Sequence, residues 1–498
     1  MNYTSTRSIM NVSSAQAIAS GIAPDGGLFT PTEIPRLTSS DLTNFQKLSY
    51  SGLAAEILSR FMNDFTKEEL FSYAQAAYDT GRFLRPGTDS REAAGLCELD
   101  PGEALLELFY GPTAAFKDMA LQIMPRLLTA SLKKLGEPRG VCILVATSGD
   151  TGKAALEGFR DVEGTRIGVY YPYGGVSEIQ RMQMQTQEGG NVAVWAVRGN
   201  FDDCQTGVKQ IFASGEANRA IDEAGIMLSS ANSINWGRLA PQIVYYIWAY
   251  LRLAERGVIR MGESVNVCVP TGNFGNILAA YMARRMGLPF ARLICASNAN
   301  NVLTDFIKTG VYDRNRDFYR TLSPSMDILI SSNVERLLYY ISGGDCAYVA
   351  GKMRELAETG RYALEGRALA ELQTVFMAGF CDDAATARTI REVWEGNHHL
   401  IDTHTAVGVR VLRDAAPGGV TIVASTASAY KFSDGVLEAL GGGHHDGFDA
   451  IDRLAHRTGS PVPMPLESLR GRAVRFDTVI DREQMESAAV NFCRTFDL

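Results

Sequence analysis

The chain has 498 residues, of which 46% are hydrophobic and 21% charged, and this composition excludes a disordered or fibrous protein. Its 48 basic residues against 56 acidic ones give a formal net charge of −8, which argues against binding to nucleic acid or to anionic membranes. The length predicts about three domains.

Residues 1–100 are predicted to form a mainly helical N-terminal domain. Apolar residues recur at helical spacing over Ser51–Phe61 and over Lys67–Tyr78, which predicts two amphipathic helices. A second mostly helical region is predicted at about 310–395.

From about Val141 onward, short β-branched runs alternate with helical patterns. Strands are predicted at Val141–Thr147, Arg166–Tyr171, Val192–Val197, Val265–Val269, Arg292–Ala296 and Thr421–Ala424. Helices are predicted from about Thr151, over roughly 203–214, 237–256 and 275–287, and from about Ser433. The strands are almost continuously apolar, as expected when helices cover both faces of a sheet. The pattern therefore predicts an α/β fold with open, mostly parallel sheets covered by helices.

Cysteine and histidine usage argues against disulfide and metal chemistry. The eight cysteines include no CxxC pair and several lie in apolar runs, which is typical of free thiols in a reducing compartment. All six histidines lie between His398 and His456, and the adjacent pairs lack the i, i+4 spacing of a helical metal site. The N-terminal stretch MNYTSTRSIMN lacks the apolar region of a secretory signal, and no apolar stretch is long enough for a bilayer. We therefore expect a soluble, cytoplasmic protein without a bound metal.

A glycine-rich turn follows the predicted strand Val265–Val269. Pro270–Asn276 (PTGNFGN) opens a helix, so its backbone N–H groups and the helix dipole point at one spot, as a bound phosphate requires. The turn lacks the GK[ST] of a Walker A loop and is not a full GxGxxG, so a nucleotide is not the obvious ligand. The alternative is a plain tight turn between a strand and a helix.

A second loop of this kind is Ala146–Gly152 (ATSGDTG), which also joins an apolar strand to a helix. Its glycines and the hydroxyls of Ser148 and Thr151 are suited to a carboxylate or phosphate at a helix start. The alternative is that Asp150 or Thr151 only caps the helix.

Lys117 lies in a stretch of small and apolar residues, Gly111–Asp118 (GPTAAFKD). A lysine in such a stretch commonly extends its ammonium group to solvent. The other interpretation is a desolvated amine with a lowered pKa that can form a Schiff base. Beside two anion-binding loops, we favour the second interpretation.

Hydroxyl groups follow the predicted strand Thr421–Ala424, within Ser425–Phe432 (STASAYKF). They lie at the carboxyl edge of a sheet, where open α/β folds bind ligands, although a polar turn is the simpler alternative. A reactive amine, a phosphate loop, a second anion loop and a hydroxyl together suggest pyridoxal phosphate as the cofactor.

At this point the chain resembles the threonine synthase family over essentially its whole length. The stretches that carry the resemblance are GIAPDGGLF (Gly21–Phe29), YGPTAAFKDMALQ (Tyr110–Gln122), ATSGDTGKAA (Ala146–Ala155), SINWGRLAPQ (Ser233–Gln242), PTGNFGNILAA (Pro270–Ala280), SPSMDILISSN (Ser323–Asn333) and DTHTAVG (Asp402–Gly408). Several long motifs in the right order are far more specific than any one alone. The helical N-terminal region and the long insertion after residue 300 are similar to the microbial and fungal branch of the family.

The resemblance implies a tryptophan-synthase-β-like fold, fold type II of the pyridoxal-phosphate enzymes, with an added helical N-terminal domain. A large cofactor-binding α/β domain would comprise residues 101–125 and 200–498, with the helical insertion at about 310–395. A smaller, mobile α/β domain would comprise residues 126–199. We expect a monomer or small homo-oligomer with a small-molecule substrate, and neither nucleic acid nor a membrane as a partner.

The resemblance also implies roles for individual residues. Lys117 matches the Schiff-base lysine, and Thr426 matches the hydroxyl that meets the pyridine nitrogen. The cofactor phosphate is expected on Gly272, Asn273, Phe274, Gly275 and Asn276. The substrate is expected on Thr147, Ser148, Gly149, Asp150 and Thr151, with Lys153, Asn235 and Arg238 as further substrate-binding candidates.

Two of these candidates, Lys153 and Arg238, could bind the phosphate group of the substrate. For Lys153 the alternative is a solvated lysine in the first turn of a helix. Arg238 is slightly favoured, because a guanidinium group binds phosphate through two parallel hydrogen bonds.

The family reaction converts O-phospho-L-homoserine and water to L-threonine and phosphate, by γ-elimination followed by β-addition of water. The resemblance therefore implies a carbon–oxygen lyase of threonine biosynthesis, with Lys117 moving protons on the substrate. Two other functions stay open: a dehydratase or β-replacement synthase of the same fold, and a catalytically silent homologue that binds a phosphate ligand.

One departure from the family concerns TASAYKF (Thr426–Phe432), where many members carry TAHPAKF. Ser428 and Ala429 stand in place of His and Pro, so no role of that histidine transfers to this chain. Because Thr426, Lys431 and Phe432 remain, we interpret the change as a subfamily variant that retains activity.

Overall fold

The computed structural model describes residues 1–495, and its N-terminal region is a helical layer with one small sheet. Its elements are β1 (Tyr3–Ser5), α1 (Ser14–Ser20), β2 (Phe29–Pro31), α2 (Ser39–Phe45), α3 (Tyr50–Phe61) and α4 (Lys67–Tyr78). Helix α4 begins with a reciprocal pair of hydrogen bonds, because Thr66 accepts from the Glu69 N–H and the Glu69 carboxylate accepts from the Thr66 N–H. The two helices predicted in this region are confirmed.

The remaining elements follow in chain order. The strands are β3 (Gly95–Asp100), β4 (Glu103–Glu107), β5 (Gly140–Ala146), β6 (Thr165–Pro172), β7 (Val192–Val197), β8 (Ile226–Ser229), β9 (Val265–Pro270), β10 (Phe290–Ser297), β11 (Val311–Asp313), β12 (Arg361–Ala363), β13 (Phe376–Phe380), β14 (Thr421–Ser425) and β15 (Val479–Ile480). The helices are α5 (Asp118–Leu121), α6 (Met124–Leu135), α7 (Asp150–Phe159), α8 (Glu178–Gln185), α9 (Phe201–Ala213), α10 (Gly215–Asp222), α11 (Trp236–Glu255), α12 (Gly275–Met286), α13 (Val302–Thr309), α14 (Val334–Ile341), α15 (Cys346–Thr359), α16 (Gly366–Val375), α17 (Asp383–Asn397), α18 (Thr403–Ala415), α19 (Ser433–Ala439), α20 (Gly447–Thr458), α21 (Met464–Glu467) and α22 (Met485–Thr495). Three short 3-10 turns lie at Pro324–Met326, Ala429–Phe432 and Arg482–Gln484.

Two main sheets organise the chain. The larger has six strands in the order β13-β10-β9-β14-β4-β3, and all neighbours are parallel except β3 and β4. The smaller has five strands in the order β15-β7-β6-β5-β8, all paired in parallel. The predicted α/β fold with open, mostly parallel sheets is confirmed.

The register of the larger sheet brings three loops to one edge. Leu106 of β4 lies opposite Ala424 of β14, and Val423 of β14 lies opposite Cys268 of β9. Since these strands are parallel, the loops that follow them leave the sheet at the same edge. These are the loops that carry Lys117, Thr426 and the glycine-rich turn.

The smaller sheet extends beyond the range 126–199 that was expected for the smaller domain. Strands β8 and β15 belong to it, although both lie in segments that were assigned to the larger domain. Neither strand has a strong local signal, because β8 has four residues of mixed burial and β15 has two. The predicted helical insertion at about 310–395 likewise contains β13, an edge strand of the larger sheet.

Apolar side chains fill the space between these layers. Helix α11 is almost entirely buried, and it packs against α3 of the N-terminal region and against α12. The N-terminal helices therefore share a core with the helices that flank the larger sheet. Among residues 1–495, none of the helices combines the length and apolar character needed to cross a membrane.

Candidate active site

Lys117 lies on the loop that follows β4, immediately before α5. Its side chain is buried, and its Nζ lies 3.4 Å from Asp150 Oδ2 and 3.4 Å from Ser325 Oγ. Burial lowers the pKa of the Lys117 amine, and the carboxylate of Asp150 opposes only part of that effect. The interpretation of Lys117 as a surface lysine is therefore wrong, and its amine is desolvated.

The loop that carries Lys117 is held by the next residue, Asp118. The Asp118 carboxylate accepts hydrogen bonds of 2.8 Å from both the N–H and the hydroxyl of Thr113. Burial raises the pKa of Asp118 to about 7. Gly111 must be a glycine here, because a Cβ atom would lie 2.5 Å from Asp118 Oδ2.

Asp150 is the centre of a buried charged cluster that consists of Lys117, Asp150 and Lys431. The Lys431 ammonium group lies 2.7 Å from Asp150 Oδ1, and it also donates to the Thr113 carbonyl at 3.0 Å. Burial alone would raise the pKa of the Asp150 carboxyl, but the two lysines lower it far below its usual range. The cluster thus sets two basic side chains against one carboxylate, and this excess of basic groups favours an anionic ligand.

The ATSGDTG loop presents Asp150 to the lysines rather than using it as a cap. Helix α7 is capped by Gly149, whose φ of 138° places it in a conformation that favours glycine and which has no side chain to accept a capping hydrogen bond. The Thr147 hydroxyl instead accepts hydrogen bonds from the N–H groups of Gly149 and Gly152 and fixes the loop. The capping alternative for Asp150 and Thr151 is therefore wrong, while Ser148 is exposed.

The glycine-rich turn forms a cradle of residues 272–276 at the start of α12. In the described part of the chain, the N–H groups of Gly272, Asn273 and Phe274 donate to no protein acceptor. Phe274 takes a left-handed φ of 62°, which turns the backbone into the helix. A Cβ atom at Gly272 would lie 2.6 Å from the Ser325 carbonyl oxygen. Unpaired N–H groups at a helix start and a glycine in close contact fit a cofactor phosphate.

The last residue of this cradle, Asn276, carries a buried polar side chain. The Asn276 Oδ1 accepts hydrogen bonds from the hydroxyls of Tyr245 and Tyr246, whereas its Nδ2 is buried and has no hydrogen-bond partner among the described residues. A buried unpaired donor is costly unless a ligand or water accepts from it. The residues present therefore fit pyridoxal phosphate.

Thr426 lies beside the Lys117 loop. Its carbonyl accepts from the Phe116 N–H at 2.8 Å, and a β-bridge joins Ala115 to Ala427. Its hydroxyl has no partner within residues 1–495, so it is available to a ligand ring.

The two phosphate-ligand candidates differ in their surroundings. Arg238 is buried without a carboxylate partner in the described chain, and burial lowers its pKa to about 10. Its charge also lowers the pKa of Lys117. Lys153 is buried as well, but its ammonium group already donates to Gln187 at 2.5 Å and lies 3.3 Å from Glu157. The solvated alternative for Lys153 is wrong. Arg238 donates to the Ala231 carbonyl at 2.8 Å, but of the two candidates it is the one without a carboxylate partner among residues 1–495.

Asn235 has a structural role in the fold. Its Oδ1 accepts from the Gly237 N–H at the start of α11, and its Nδ2 donates to the Ile18 carbonyl at 3.0 Å. Both ends of its amide are thus occupied by the protein.

The departure from the family pattern is accommodated by a local hydrogen bond. Ser428 Oγ accepts from the Tyr430 N–H and caps the 3-10 turn Ala429–Phe432, which carries Lys431. Ser428 therefore shapes the turn that holds the second lysine.

Sequence reasoning missed several residues of the site. Ser325 lies beside Lys117, His404 accepts from the Ser325 N–H, and Gln180 donates to Asp150. The sequence analysis gives none of these three residues a role. The motifs SPSMDILISSN and DTHTAVG contain two of them, and these motifs were the available signal.

Comparisons with known proteins agree with the geometry. Residues 2–78 match the family "Threonine synthase N terminus", residues 104–378 match "Pyridoxal-phosphate dependent enzyme", and residues 405–488 match "Threonine synthase, C-terminal". A curated "Threonine synthase" of Pseudomonas aeruginosa is 39% identical over 448 residues, which are 88% of this chain and 90% of that protein. "Threonine synthase-like 1" of Homo sapiens is 38% identical over 438 residues, 86% of this chain, and the match spans 58% of that longer protein.

Solved structures show the same fold. The chain superimposes on the pyridoxal-phosphate-bound threonine synthase of Brucella melitensis with a TM-score of 0.88 and 36% identity, covering 99% of this chain and 100% of that one. It superimposes on the yeast enzyme with a TM-score of 0.87 and 33% identity, covering 99% of each chain. The predicted fold type and the resemblance are both confirmed.

Proposed function

Because the chain belongs to the threonine synthase family of pyridoxal-phosphate-dependent enzymes, we propose that it converts O-phospho-L-homoserine and water to L-threonine and phosphate. The observation that carries the proposal is the desolvated amine of Lys117, whose pKa is lowered by burial and also by the nearby charge of Arg238, together with the free N–H groups of the cradle. An amine, a cofactor phosphate site and a second phosphate ligand are what this reaction requires.

The cofactor, when bound, serves as the electron sink for carbanions at the substrate. In our proposal the cradle holds its phosphate, Thr426 meets its ring nitrogen, and Lys117 bonds to it in the resting enzyme. Lys117 then moves the proton at Cα of the substrate, because a desolvated amine is neutral near pH 7 more readily than a solvated one.

Arg238 is the proposed ligand of the substrate phosphate. Arg238 is buried and, among residues 1–495, its guanidinium donates to the Ala231 carbonyl but to no carboxylate, whereas the Lys153 ammonium group is already held by Glu157 and Gln187. We expect Arg238→Ala to weaken inhibition by inorganic phosphate about tenfold or more, since charge-assisted hydrogen bonds are lost. Lys153→Ala serves as the matched control and should change phosphate inhibition less than about twofold. Equal phosphate inhibition in wild type and Arg238→Ala would locate the phosphate elsewhere.

The test of the function itself is phosphate release coupled to identification of the amino-acid product. Purified protein loaded with pyridoxal phosphate should release phosphate from O-phospho-L-homoserine and form L-threonine in equal amounts. Ammonia release from serine or threonine without phosphate would assign a dehydratase instead.

The cellular setting is also proposed. Eight cysteines are free thiols in the structure, which supports a reducing compartment such as the cytoplasm. The proposed partner is the small-molecule substrate, and we propose no nucleic-acid or membrane partner.

A further inference from the structure

We propose that Ser325 is a further catalytic residue, whose hydroxyl group fixes the orientation of the Lys117 amine. The proposal rests on the function proposed above, in which Lys117 is the base. Ser325 lies in the 3-10 turn Pro324–Met326, between the cradle and the charged cluster.

The contacts of Ser325 define which group donates and which accepts in its hydrogen bonds with Lys117 and Asp150. Its Oγ lies 3.4 Å from Lys117 Nζ and donates to Asp150 Oδ2 at 3.3 Å. Since the hydroxyl proton points to Asp150, the hydroxyl can only accept from Lys117. These distances are longer than usual, as catalytic hydrogen bonds commonly are before substrate binds.

Two acceptors therefore face a neutral Lys117 amine. Asp150 Oδ2 and Ser325 Oγ are both within 3.4 Å, and a neutral amine has two N–H groups and one lone pair. When each acceptor takes one N–H, the lone pair is forced to point away from both. Without the Ser325 hydroxyl, the amine would keep one acceptor and could rotate about its Cε–Nζ bond.

His404 acts on Lys117 through Ser325 and is thus a positioning residue. The Ser325 N–H donates to His404 Nε2 at 3.1 Å, while His404 Nδ1 lies 2.7 Å from Asp402 Oδ2. Nε2 is an acceptor in this arrangement, so the imidazole is neutral and carries its proton on Nδ1, where Asp402 accepts it. Asp402 is fully buried at the start of α18, where its side chain also accepts from the N–H groups of Thr405 and His404, so the Ser325 turn is tied to the start of that helix.

The same turn also touches the cradle. The Ser325 carbonyl oxygen occupies the space where a Cβ of Gly272 would lie. One residue thus contacts the phosphate loop through its backbone and the lysine through its side chain.

The test measures two quantities: the pH at which the Lys117 amine becomes reactive, and the turnover of the enzyme. In the full chain freed of cofactor, the pH dependence of Lys117 acetylation by acetic anhydride, followed by mass spectrometry, gives the midpoint at which the amine becomes reactive. We expect Ser325→Ala to lower this midpoint by about half to one pH unit, because a hydrogen bond stabilises an ammonium group more than an amine. In the reconstituted enzyme, kcat should fall about tenfold or more, with KM changed by less than about twofold.

Four further variants separate an effect on the orientation of the Lys117 amine from an effect on folding. Ser325→Thr keeps the hydroxyl and should move the midpoint back toward the wild-type value. Ser323→Ala is the matched control: Ser323 lies in the same segment and accepts from Asn298, and its loss should leave the Lys117 midpoint unchanged. His404→Phe should reproduce part of the Ser325→Ala shift, and His404→Gln, which keeps an acceptor, should reverse it.

A Lys117 midpoint and a kcat that are the same in Ser325→Ala and wild type would overturn the proposal. An equal midpoint shift in Ser323→Ala would overturn it too, because the effect would then come from the segment and not from the hydroxyl. If wild type forms no threonine, the proposed function fails, while the acetylation midpoint still decides whether Ser325 acts on Lys117.

Discussion

The cradle and the charged cluster both contact Ser325, yet they are built differently: one consists of backbone groups and the other of charged side chains. The cradle, residues 272–276, offers neutral N–H groups whose direction is set by the local backbone and the start of α12. The charged cluster of Lys117, Asp150 and Lys431 combines side chains from three loops on two sheets. In the proposed function, local backbone would bind the phosphate of the cofactor, and the long-range cluster would surround the atoms that react.

The largest effect is expected when the reacting amine is removed from the cluster. Lys117→Ala should lower turnover by roughly a thousandfold or more, because no other group replaces a covalent lysine. It should also abolish the absorbance of the covalently bound cofactor, measured in the purified protein. A borohydride-reducible bond to another lysine would contradict the assignment.

Next in size is the loss of the carboxylate between the two lysines. Asp150→Asn leaves two buried cations without their counter-charge, so the free energy of unfolding should fall by about 3–5 kcal/mol at pH 7. Because the pKa of Asp150 is lowered on folding, the wild-type contribution is present above its ordinary value of 3.8 and is lost as the pH falls below it. Urea unfolding from pH 7 to pH 3 should therefore show a smaller difference between variant and wild type at the acid end.

The matching experiment on the cradle adds a methyl group beside the backbone and leaves the charge unchanged. In Gly272→Ala the new Cβ would lie 2.6 Å from the Ser325 carbonyl oxygen, so the turn must shift, and cofactor affinity should weaken about tenfold. Gly275→Ala is the control, because its Cβ would have its nearest neighbour at 3.4 Å. Cofactor titration of both variants measures the difference, and equal affinities would show that the contact is not limiting.

The smallest effect is expected at the ring nitrogen. Thr426→Ala removes one hydroxyl, so turnover should fall about fivefold, the equivalent of one hydrogen bond of about 1 kcal/mol. Thr426→Asp should favour a protonated ring and increase side products, as judged by product analysis. If both variants match wild type, Thr426 is only a turn residue.

The cradle could be predicted from sequence and the cluster only in part, for the same physical reason. Pro270–Asn276 is a contiguous strand–turn–helix signal, and the structure contains that turn at the predicted residues. Lys117 and Asp150 were each found from their own loops, but their contact depends on the packing of the two sheets. Ser325 and Lys431 enter the site from distant segments, and no local pattern indicates which carboxylate they face.

The same limit applies to the fold. The bounds of long apolar strands such as β5, β6 and β9 are predicted to within one or two residues. Both faces of these strands are buried, so nearly every residue in them is apolar and the run is visible in the sequence. Strands β8 and β15 are not predicted. Their pairing partners β5 and β7 lie far away in the sequence, and this pairing supplies the stabilisation that the residues of β8 and β15 lack.

Strand β15 has a consequence for how the protein is made. The smaller sheet contains four strands between residues 140 and 229, but its β7 edge is covered only when residues 479–480 pair with it. On the ribosome, about 250 further residues must be synthesised before that edge is closed, at 5–20 residues per second or so. For that interval the nascent chain exposes an unpaired parallel strand, the kind of surface that recruits chaperones or pairs with a neighbouring chain.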